Sequence, residues 1–470
     1  MKFTELIYSS CPVVIQDALI STYGLRLKRI RYGGAYSNHY NYLSKSQYYT
    51  SEKVNKLQRA LLNNIISYAC KHVPWYRGVI EAKSIDVRDI TPENYKEVFS
   101  VLSKDTLRDN LGEFVSEDTR LKKKIYINTS GTSGTPLRIA ATREAIQHNY
   151  AFFSRVLNWA GVKFGDRSAT FAGRVFIPNG QKGPPYWRYN IPQNNILLSS
   201  YNISDRTIPS YIRALTKFNP EYIDSYPSAI YEISKYINEN MVAHAIRPKA
   251  IITSSETLYD YQRISIEEAF NCKVFDHLGS AEMVTLVSQC EYGSYHINPE
   301  YGVFEILDHE GKPVPNGEMG ELVCTGFINI AMPLIRYSLG DTVSLSDLRC
   351  ECGRAFPVVK ELLGRTDDLI IACDGSKVGR LDPIFKGVDQ TIKEAQIVQK
   401  EIDKLILNIV PCGKQESVNV KQLIYELKKR TGECMDISVN YLDAINKTSA
   451  GKFRSVISEL DINEANQNIK

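Results

Sequence analysis

The segment Tyr126-Ile-Asn-Thr-Ser-Gly-Thr-Ser-Gly-Thr-Pro136 runs from a strand-like stretch into a loop of small hydroxylated residues and two glycines. Glycine backbones expose successive N–H groups to a phosphate, and the Ser and Thr hydroxyls add donors without bulk. The loop therefore suits a polyphosphate, although it lacks the G-x-x-x-x-G-K-[ST] pattern of a Walker loop. The alternative is a flexible Ser/Gly turn between two elements.

Outward from this loop, β-like runs alternate with helical runs. The pairs are Ile125–Asn128 with Glu144–Trp159, Tyr222–Ser225 with Pro227–Asn238, and Ala250–Thr253 with Tyr259–Phe270. Such alternation is typical of a mostly parallel sheet covered by helices. We therefore predict an α/β fold for the body of the chain.

The regions on either side of this body have different patterns. Residues 1–120 favour helices and loops, including a helix over Leu57–Val73 that stops just before a proline. Past the alternating region, the pattern indicates short strands separated by turns, at Glu305–Leu307, Gly320–Thr325 and Thr342–Ser346.

The C-terminal part is polar and α+β-like, with a helix near Val420–Lys429. We predict an N-terminal domain over residues 1–363, made of a helical lead-in at 1–120 and an α/β body at 121–363. A small mobile lid domain follows over residues 364–470.

Composition excludes several classes of protein. The 470 residues carry a net charge of +4, which is too weak a bias to favour nucleic acid binding. No apolar stretch is long enough for a spanning helix, and the short run Cys11–Ile20 lacks the features of a signal peptide. We interpret that run as an amphipathic helix packed on the body, and we expect a cytoplasmic protein. Ten cysteines in a chain of this length do not suggest a disulfide scaffold, and Cys70, Cys272 and Cys324 are expected to be buried.

Several segments together resemble the adenylate-forming superfamily of acyl-CoA synthetases. They occur in that superfamily's order and are Thr129–Pro136, Ser254–Glu256, His277–Glu282, Tyr337–Asp341, Gly364–Asp368 and Thr448–Lys452. Within the superfamily the chain is similar to the phenylacetate–CoA ligase branch, and more narrowly to CapK-like proteins associated with capsular polysaccharide biosynthesis. The narrower likeness rests on Tyr68–Arg77, Tyr186–Asn190, Leu198–Tyr201 and Asp374–Asp382.

The resemblance implies adenylation of a carboxylic acid by ATP with release of pyrophosphate. The ATP- or AMP-binding residues that it implies are Thr129, Ser130, Gly131, Thr132, Ser133, Gly134, Thr135, Ser255, Glu256, His277, Gly279, Ser280 and Asp341. Glu282 is implied as a Mg²⁺ ligand, Arg365 as a group near the phosphate and ribose, Asp367 as the hinge, and Lys452 as the catalytic ammonium. Taken alone, each of these residues also fits a surface or linker position.

Some positions depart from the superfamily pattern. Ala281 and Leu339 each replace a Thr, His277 stands where Tyr is common, and Leu137-Arg138 stand where the phosphate loop often has Lys. Ala281 removes one hydroxyl contact to phosphate. These changes could weaken the use of ATP.

A metal site is predicted from the cysteines themselves. Cys290 precedes His296 by six positions, and Cys350 and Cys352 belong to a C-x-C-G turn downstream. Three thiolates and an imidazole form a tetrahedral zinc set, and a site with four protein ligands is closed and structural. The alternative is four unrelated reduced residues.

The acyl substrate and its acceptor remain open at this level. Tyr226, Trp187 and Arg188 are weak candidates for the substrate pocket, since aromatic stripes are more often core. The acceptor is coenzyme A, a carrier thiol, or a sugar amine or hydroxyl. The sequence is therefore compatible with three functions: an acid–thiol ligase, an amide- or ester-forming ligase that acylates a sugar, and a non-catalytic ATP-binding assembly protein. The oligomeric state is not readable from the sequence.

Overall fold

The computed structural model describes residues 8–121, 123–128, 137–172, 176–178, 181, 183–365, 370–372, 377–378, 381, 384, 391–411, 418–446 and 453–460. The chain forms two compact units. The first comprises the residues up to Leu339 together with Val343–Glu361, and the second comprises Gly340–Thr342 and the residues from Leu362 onward. The predicted boundary after residue 363 and the mobility of the lid stay proposals.

The first unit begins with helices, as the sequence predicts. Their bounds are α1 Val13–Arg31, α2 Gly34–Ser46, α3 Ser51–His72, α4 Pro74–Ala82, α5 Tyr95–Val98 and α6 Lys104–Asp109. Helix α3 starts six residues before the predicted Leu57, because the Thr50 side chain caps it by accepting the Lys53 N–H at 3.4 Å. It ends before Pro74, which opens α4 at a position where a missing N–H costs nothing.

The centre of the first unit is the parallel part of a twelve-stranded sheet. Its strands are β3 Ser168–Ala172, β4 Trp187–Asn190, β5 Asn195–Ser199, β6 Tyr222–Ser225, β7 Ala250–Ser254 and β8 Lys273–Gly279. Strands β5, β3, β6, β7 and β8 pair in parallel in that order. Helices α7 Arg143–Trp159, α8 Ile208–Phe218, α9 Pro227–Glu239 and α10 Asp260–Phe270 connect or cover them. The α/β prediction is confirmed.

One predicted strand lies elsewhere. Strand β1, Ile125–Asn128, pairs antiparallel with β2, Arg138–Ala141, in a separate two-stranded sheet and does not join the parallel strands. The connection between β1 and β2 is only residues 129–137, and a parallel crossover requires a dozen or more residues. A short return therefore forces the antiparallel arrangement.

The other half of the large sheet contains the strands predicted between turns. They are β9 Leu286–Gln289, β10 Tyr295–Ile297, β11 Gly302–Leu307, β12 Gly320–Gly326, β13 Tyr337–Ser346 and β14 Val358–Arg365. The order across the sheet is β11-β12-β13-β14-β10-β9-β8-β7-β6-β3-β5-β4. On one side of β8 the strands are parallel as far as β5, and the edge strand β4 is antiparallel to β5. On the other side β8–β9, β9–β10, β10–β14 and β11–β12 are antiparallel pairs.

The second unit has its own sheet and core. Strands β15 Ile370–Ile371 and β16 Lys377–Val378 form a short pair, and a four-stranded sheet has the order β19-β18-β17-β20. Those strands are β17 Ile392–Glu401, β18 Lys404–Pro411, β19 Asp436–Tyr441 and β20 Val456–Ser458. Helix α11, Val420–Thr431, confirms the helix predicted near Val420 and buries Leu423 and Leu427 in this core.

Most of the cysteines that the structure describes form no disulfide. Cys70 and Cys324 are buried thiols as predicted, while Cys272 is partly exposed. Cys434 is disulfide-bonded, which the sequence analysis does not anticipate. Among the described residues, no helix combines the length and apolar character needed to cross a membrane.

Candidate functional site

Three of the predicted site segments follow neighbouring parallel strands. Tyr226 follows β6, Ser255-Glu256 follow β7, and His277–Gly279 end β8. Because β6, β7 and β8 are parallel and in register, their carboxyl ends meet at one edge of the sheet. Ligands of open α/β sheets bind outside this edge, so the structure brings these segments to the expected place for a substrate.

The backbone at Ser255 is strained. Its φ is 72°, in the left-handed region that a residue with a side chain rarely adopts. The next residue, Glu256, accepts the Ser228 N–H at 3.0 Å through its Oε2. Ser228 lies in the first turn of α9, where a carboxylate satisfies a free N–H and complements the helix dipole. Glu256 therefore ties the β7 loop to the start of α9.

His277 is a neutral, half-buried imidazole whose Nδ1 is shielded from solvent. It pairs in the sheet with Ser254 on one side and Ser288 on the other, and its ring lies 5.4 Å from that of Phe153. Burial lowers the pKa of His277 to about 4, so the ring carries no charge at neutral pH. Its Nδ1 has no hydrogen-bond partner within the described part of the chain. A buried ring nitrogen of this kind is ready for a polar group of a ligand.

Glu282 is a buried carboxylate in the turn after β8. Ser280 and Ala281 precede it, and the backbone just after it, at Met283, has a φ of 59°. The Tyr337 hydroxyl donates to Glu282 Oε1 at 3.4 Å, and no Lys or Arg of the described residues pairs with it. A buried carboxylate is costly without a cation or strong donors. The site is therefore chemically suited to a divalent cation.

The remaining predicted nucleotide contacts are only partly described. Asp341 is buried on β13 and groups with the second unit. The backbone of Arg365 ends β14. The phosphate loop Thr129–Thr135, the hinge Asp367 and the catalytic candidate Lys452 lie outside the described residues.

Tyr226, Trp187 and Arg188, the candidates for the substrate pocket, make contacts within the protein. Arg188 is fully buried and donates to Gln16 Oε1 at 2.7 Å, to Gln181 Oε1 at 3.1 Å and to two carbonyls. These bonds hold α1 on edge strand β4 and favour a structural role over a substrate contact. Trp187 and Tyr226 pack against the buried core of the parallel half, and Tyr226 also precedes α9 at the strand edge.

The four predicted metal ligands converge. Cys290 follows β9, His296 lies on β10, and Cys350 and Cys352 belong to the turn before β14. Their ligand atoms all lie within 4.8 Å of one another. Cys290 Sγ is 3.6 Å from Cys350 Sγ, and Cys352 Sγ is 3.3 Å from His296 Nε2.

These separations match a tetrahedral zinc centre. Zn–S bonds of about 2.3 Å and Zn–N bonds of about 2.0 Å place two sulfurs about 3.8 Å apart and a sulfur and nitrogen about 3.5 Å apart. A disulfide would need about 2.05 Å between sulfurs, so the 3.6 Å separation of Cys290 and Cys350 is not a bond. The other ring nitrogen of His296, Nδ1, lies 3.4 Å from the Phe356 carbonyl, an orientation typical of ligating histidines.

A ring of buried polar contacts surrounds this cluster. Trp159 Nε1 donates to Gln47 Oε1 at 2.8 Å, and the Arg354 guanidinium lies over the Trp159 ring, 4.4 Å from its centroid. Arg354 also donates to Glu291 at 2.8 Å. The cluster thus connects the β9–β10 hairpin, the turn before β14 and the helical lead-in.

The sequence does not reveal two acidic residues in the interior, Glu300, which is buried, and Asp224, which is half-buried. Glu300 pairs with Arg155 at 2.9 Å, with both side chains almost fully buried. Asp224 lies in β6 on the face that also carries Tyr222, in register with Thr170 and Ile252. Burial raises the pKa of Asp224 to about 6. The sequence feature that could have identified Asp224 is an acidic residue within a short strand of the parallel sheet.

Comparisons with known proteins agree with this architecture. A family model described as the CapK C-terminal domain matches residues 370–459. Protein CapK of Staphylococcus aureus is 28% identical over 458 residues, which is 97% of this chain and 99% of that protein. A phenylacetate-coenzyme A ligase of Thermus thermophilus is 24% identical over 332 residues, covering 68% of this chain and 72% of the ligase.

A solved structure has the same fold. A 2-hydroxyisobutyryl-CoA ligase, in the postadenylation state with its acyl-AMP, superposes with a TM-score of 0.68 at 18% identity. The match covers 89% of this chain and 92% of that one.

The fold, the strand-edge site and these relatives define the class. In sequence the chain is similar to adenylate-forming ligases of the phenylacetate–CoA ligase branch, and its fold is that of an acyl-CoA ligase. Within that branch it is CapK-like along nearly its whole length. The resemblance found in the motifs is confirmed.

Proposed function

We propose that this protein uses ATP to adenylate a carboxylic acid, releases pyrophosphate, and passes the acyl group to a second acceptor. The observation that carries the proposal is Glu282, a buried carboxylate without a basic partner among the described residues, at the edge where β6, β7 and β8 end. Adenylation depends mainly on positioning and charge neutralisation, and this edge supplies both.

The described residues divide the work of holding ATP. His277 offers the nucleotide a neutral ring nitrogen, Nδ1, that has no hydrogen-bond partner among the residues that the structure describes. Asp341 would accept hydrogen bonds from the ribose hydroxyls. Glu282 would hold Mg²⁺, which supplies positive charge against the phosphates when bound. By resemblance, Thr129–Thr135 hold the β- and γ-phosphates, Arg365 neutralises charge nearby and Lys452 stabilises the charge that develops at the α-phosphate.

We favour a thiol as the acceptor, either coenzyme A or a carrier. The names of two relatives support this choice, since both the phenylacetate ligase and the 2-hydroxyisobutyryl ligase are coenzyme A ligases. The full-length similarity to CapK, together with the resemblance carried by the motifs, leads us to place the protein in capsular or other surface polysaccharide synthesis. For that setting a sugar amine or hydroxyl is the alternative acceptor.

We further propose that Cys290, His296, Cys350 and Cys352 hold a structural zinc ion. The four ligand atoms lie within 4.8 Å of one another, and the Cys290–Cys350 and Cys352–His296 separations are close to those of a tetrahedral zinc centre. All four positions are taken by protein side chains, so the ion would have no open coordination site for a substrate.

Pyrophosphate exchange tests the adenylation step. The purified protein would be incubated with ATP, Mg²⁺, labelled pyrophosphate and a panel of aryl, amino and hydroxy acids, with and without coenzyme A. We expect acid-dependent exchange that falls at least 100-fold in Lys452→Ala and in Glu282→Gln. The control Glu310→Gln changes an exposed glutamate that pairs with Lys312, and should retain full exchange.

The outcomes separate the candidate functions. Acid-dependent exchange followed by coenzyme A-dependent thioester formation supports the thiol ligase, whereas an adenylate released only to an amino or hydroxyl sugar supports the alternative. Exchange that is equal in wild type and Lys452→Ala contradicts the assigned mechanism. ATP binding without exchange for any acid of the panel would favour a non-catalytic assembly protein.

A further inference from the structure

Helix α1 packs on the protein with its polar side. Gln16 is buried and accepts from Arg188, and Asp17 Oδ1 accepts the Tyr189 N–H at 3.0 Å. One turn further on, Ser21 Oγ donates to the Tyr189 carbonyl at 3.3 Å. These bonds use the free edge of strand β4, where unpaired backbone groups need partners. The inward face is therefore polar, the reverse of an ordinary surface helix.

The close approach at Gly24 completes this contact. A Cβ at Gly24 would lie 2.0 Å from Asn190 Oδ1, so a larger residue there would have to displace the Asn190 side chain. The orientation of α1 is thus set by several specific contacts on its polar face.

The opposite face of α1 exposes apolar side chains along its N-terminal half, with the exposed Thr22, Arg26 and Arg29 following on the same side. Residues along a helix are about 100° apart, which places its outward side chains on one half of the circumference. Together with the neighbouring Ile191 they form what we call the apolar stripe, each member between 41% and 77% exposed: Val14, Ile15, Leu19, Tyr23, Leu25 and Ile191. A contiguous apolar surface rimmed by polar residues marks an interaction site.

Positive charge adjoins the apolar stripe. A cavity of about 520 Å³ lies beside the C-terminal half of α1 and is lined by Thr22, Leu25, Arg26, Arg29, Ile30, Lys123, Ile125 and Arg143. We call it the basic cleft, because four of its lining residues are basic and none is acidic. Of the acidic groups nearby in sequence, Asp17 is bonded inward, Asp118 pairs with Arg120, and Glu144 does not line the cleft.

We propose that the apolar stripe and the basic cleft together form a docking surface for an anionic lipid bilayer. Apolar side chains of an interfacial helix enter the boundary between headgroups and acyl chains, while flanking Arg and Lys meet lipid phosphates. A second copy of the chain is disfavoured as the occupant. In a two-fold dimer the same patch would meet itself, and its basic cleft contains no acidic side chain that could pair with the four basic ones. This surface is separate from the adenylation site and does not depend on the proposed activity.

Vesicle sedimentation tests the surface with the full chain. We expect binding to phosphatidylcholine vesicles that contain about 30% phosphatidylglycerol, and little binding to pure phosphatidylcholine. Each basic residue near an anionic surface raises partitioning about fivefold, so Arg26→Gln/Arg29→Gln should bind about 25-fold more weakly. Val14→Gln/Leu19→Gln should bind at least tenfold more weakly.

The controls separate charge, apolar contact and folding. Arg88→Gln/Lys312→Gln removes two exposed charges elsewhere on the first unit and should bind like wild type. All substituted side chains are exposed, so the thermal midpoint of each variant should match wild type. Equal binding to neutral and anionic vesicles, no binding to either, or unchanged binding in both double variants would overturn the proposal. So would a dimer in solution that Val14→Gln/Leu19→Gln converts to a monomer.

Discussion

The metal cluster gives the sharpest prediction. Changing Cys352 to serine removes one thiolate of the four ligands and leaves three ligands with an open position. We expect purified wild-type protein to contain about one zinc per chain and the Cys352→Ser variant to contain less than a tenth of that amount, because ligand number controls affinity.

The expected loss of stability follows from mass action. Zinc present at roughly 1,000 times its dissociation constant stabilises the folded state by about 4 kcal/mol. The first unit has about 360 residues. With an unfolding entropy of roughly 2.1 cal/mol/K per residue, its total is about 0.75 kcal/mol/K, so loss of the ion lowers the thermal midpoint by about 5 °C.

Two measurements on matched variants check this reasoning. Metal content would be read by plasma mass spectrometry and unfolding by scanning calorimetry. Cys324→Ser is the control, since Cys324 is a buried free thiol on β12 that does not belong to the cluster. It should keep its zinc whatever its stability. A chelator should lower the midpoint of wild type and Cys324→Ser but leave Cys352→Ser unchanged. Zinc bound equally by all three proteins, or by none, would refute the site.

Three further predictions concern buried groups. Arg155→Met leaves the Glu300 carboxylate buried without its cation, and urea unfolding should show a loss of about 3–5 kcal/mol that the double variant Arg155→Met/Glu300→Leu largely restores. The free energy of unfolding of Asp224→Asn should match that of wild type near pH 4 and exceed it by up to about 3 kcal/mol at pH 7.5. The pKa of Asp224 is raised by burial to about 6, so wild type loses stability as the pH rises through that value; a gap that is constant with pH would contradict this. Gly302→Ala places a Cβ 2.6 Å from the Thr325 carbonyl oxygen and should lower the free energy of unfolding by about 1–3 kcal/mol, whereas Gly112→Ala, whose Cβ would meet no atom within 4 Å, should cost less.

Local sequence patterns predicted strands and helices correctly where the hydrophobic period and the prolines of a segment indicate its structure. The runs at Tyr222–Ser225 and Ala250–Thr253 are strands, and the helices that follow them start within one residue of the predicted position. Hydrophobic period and proline positions are local properties, so they can be read directly. The partner of a strand is not local. Ile125–Asn128 is a strand as predicted, yet its antiparallel partner shows only in the fold.

Helix α1 illustrates a second limit. The apolar run Cys11–Ile20 predicted an amphipathic helix packed on the body, and a packed helix is present from Val13. The face that it buries was not predictable, because its partner is a strand edge with free backbone groups. Such an edge bonds Gln16, Asp17 and Ser21 and leaves the apolar side chains outside.

The sequence by itself determined the superfamily, the order of its motifs and the identity of four metal-ligand candidates, because these depend on residue type and spacing along the chain. Only the tertiary structure decided that Cys290, His296, Cys350 and Cys352 meet within 4.8 Å. It also decided that Glu282 lies buried without a cation among the described residues, and that Arg188 serves to hold α1. Distances and burial arise from packing between segments far apart in sequence, and no local pattern contains them.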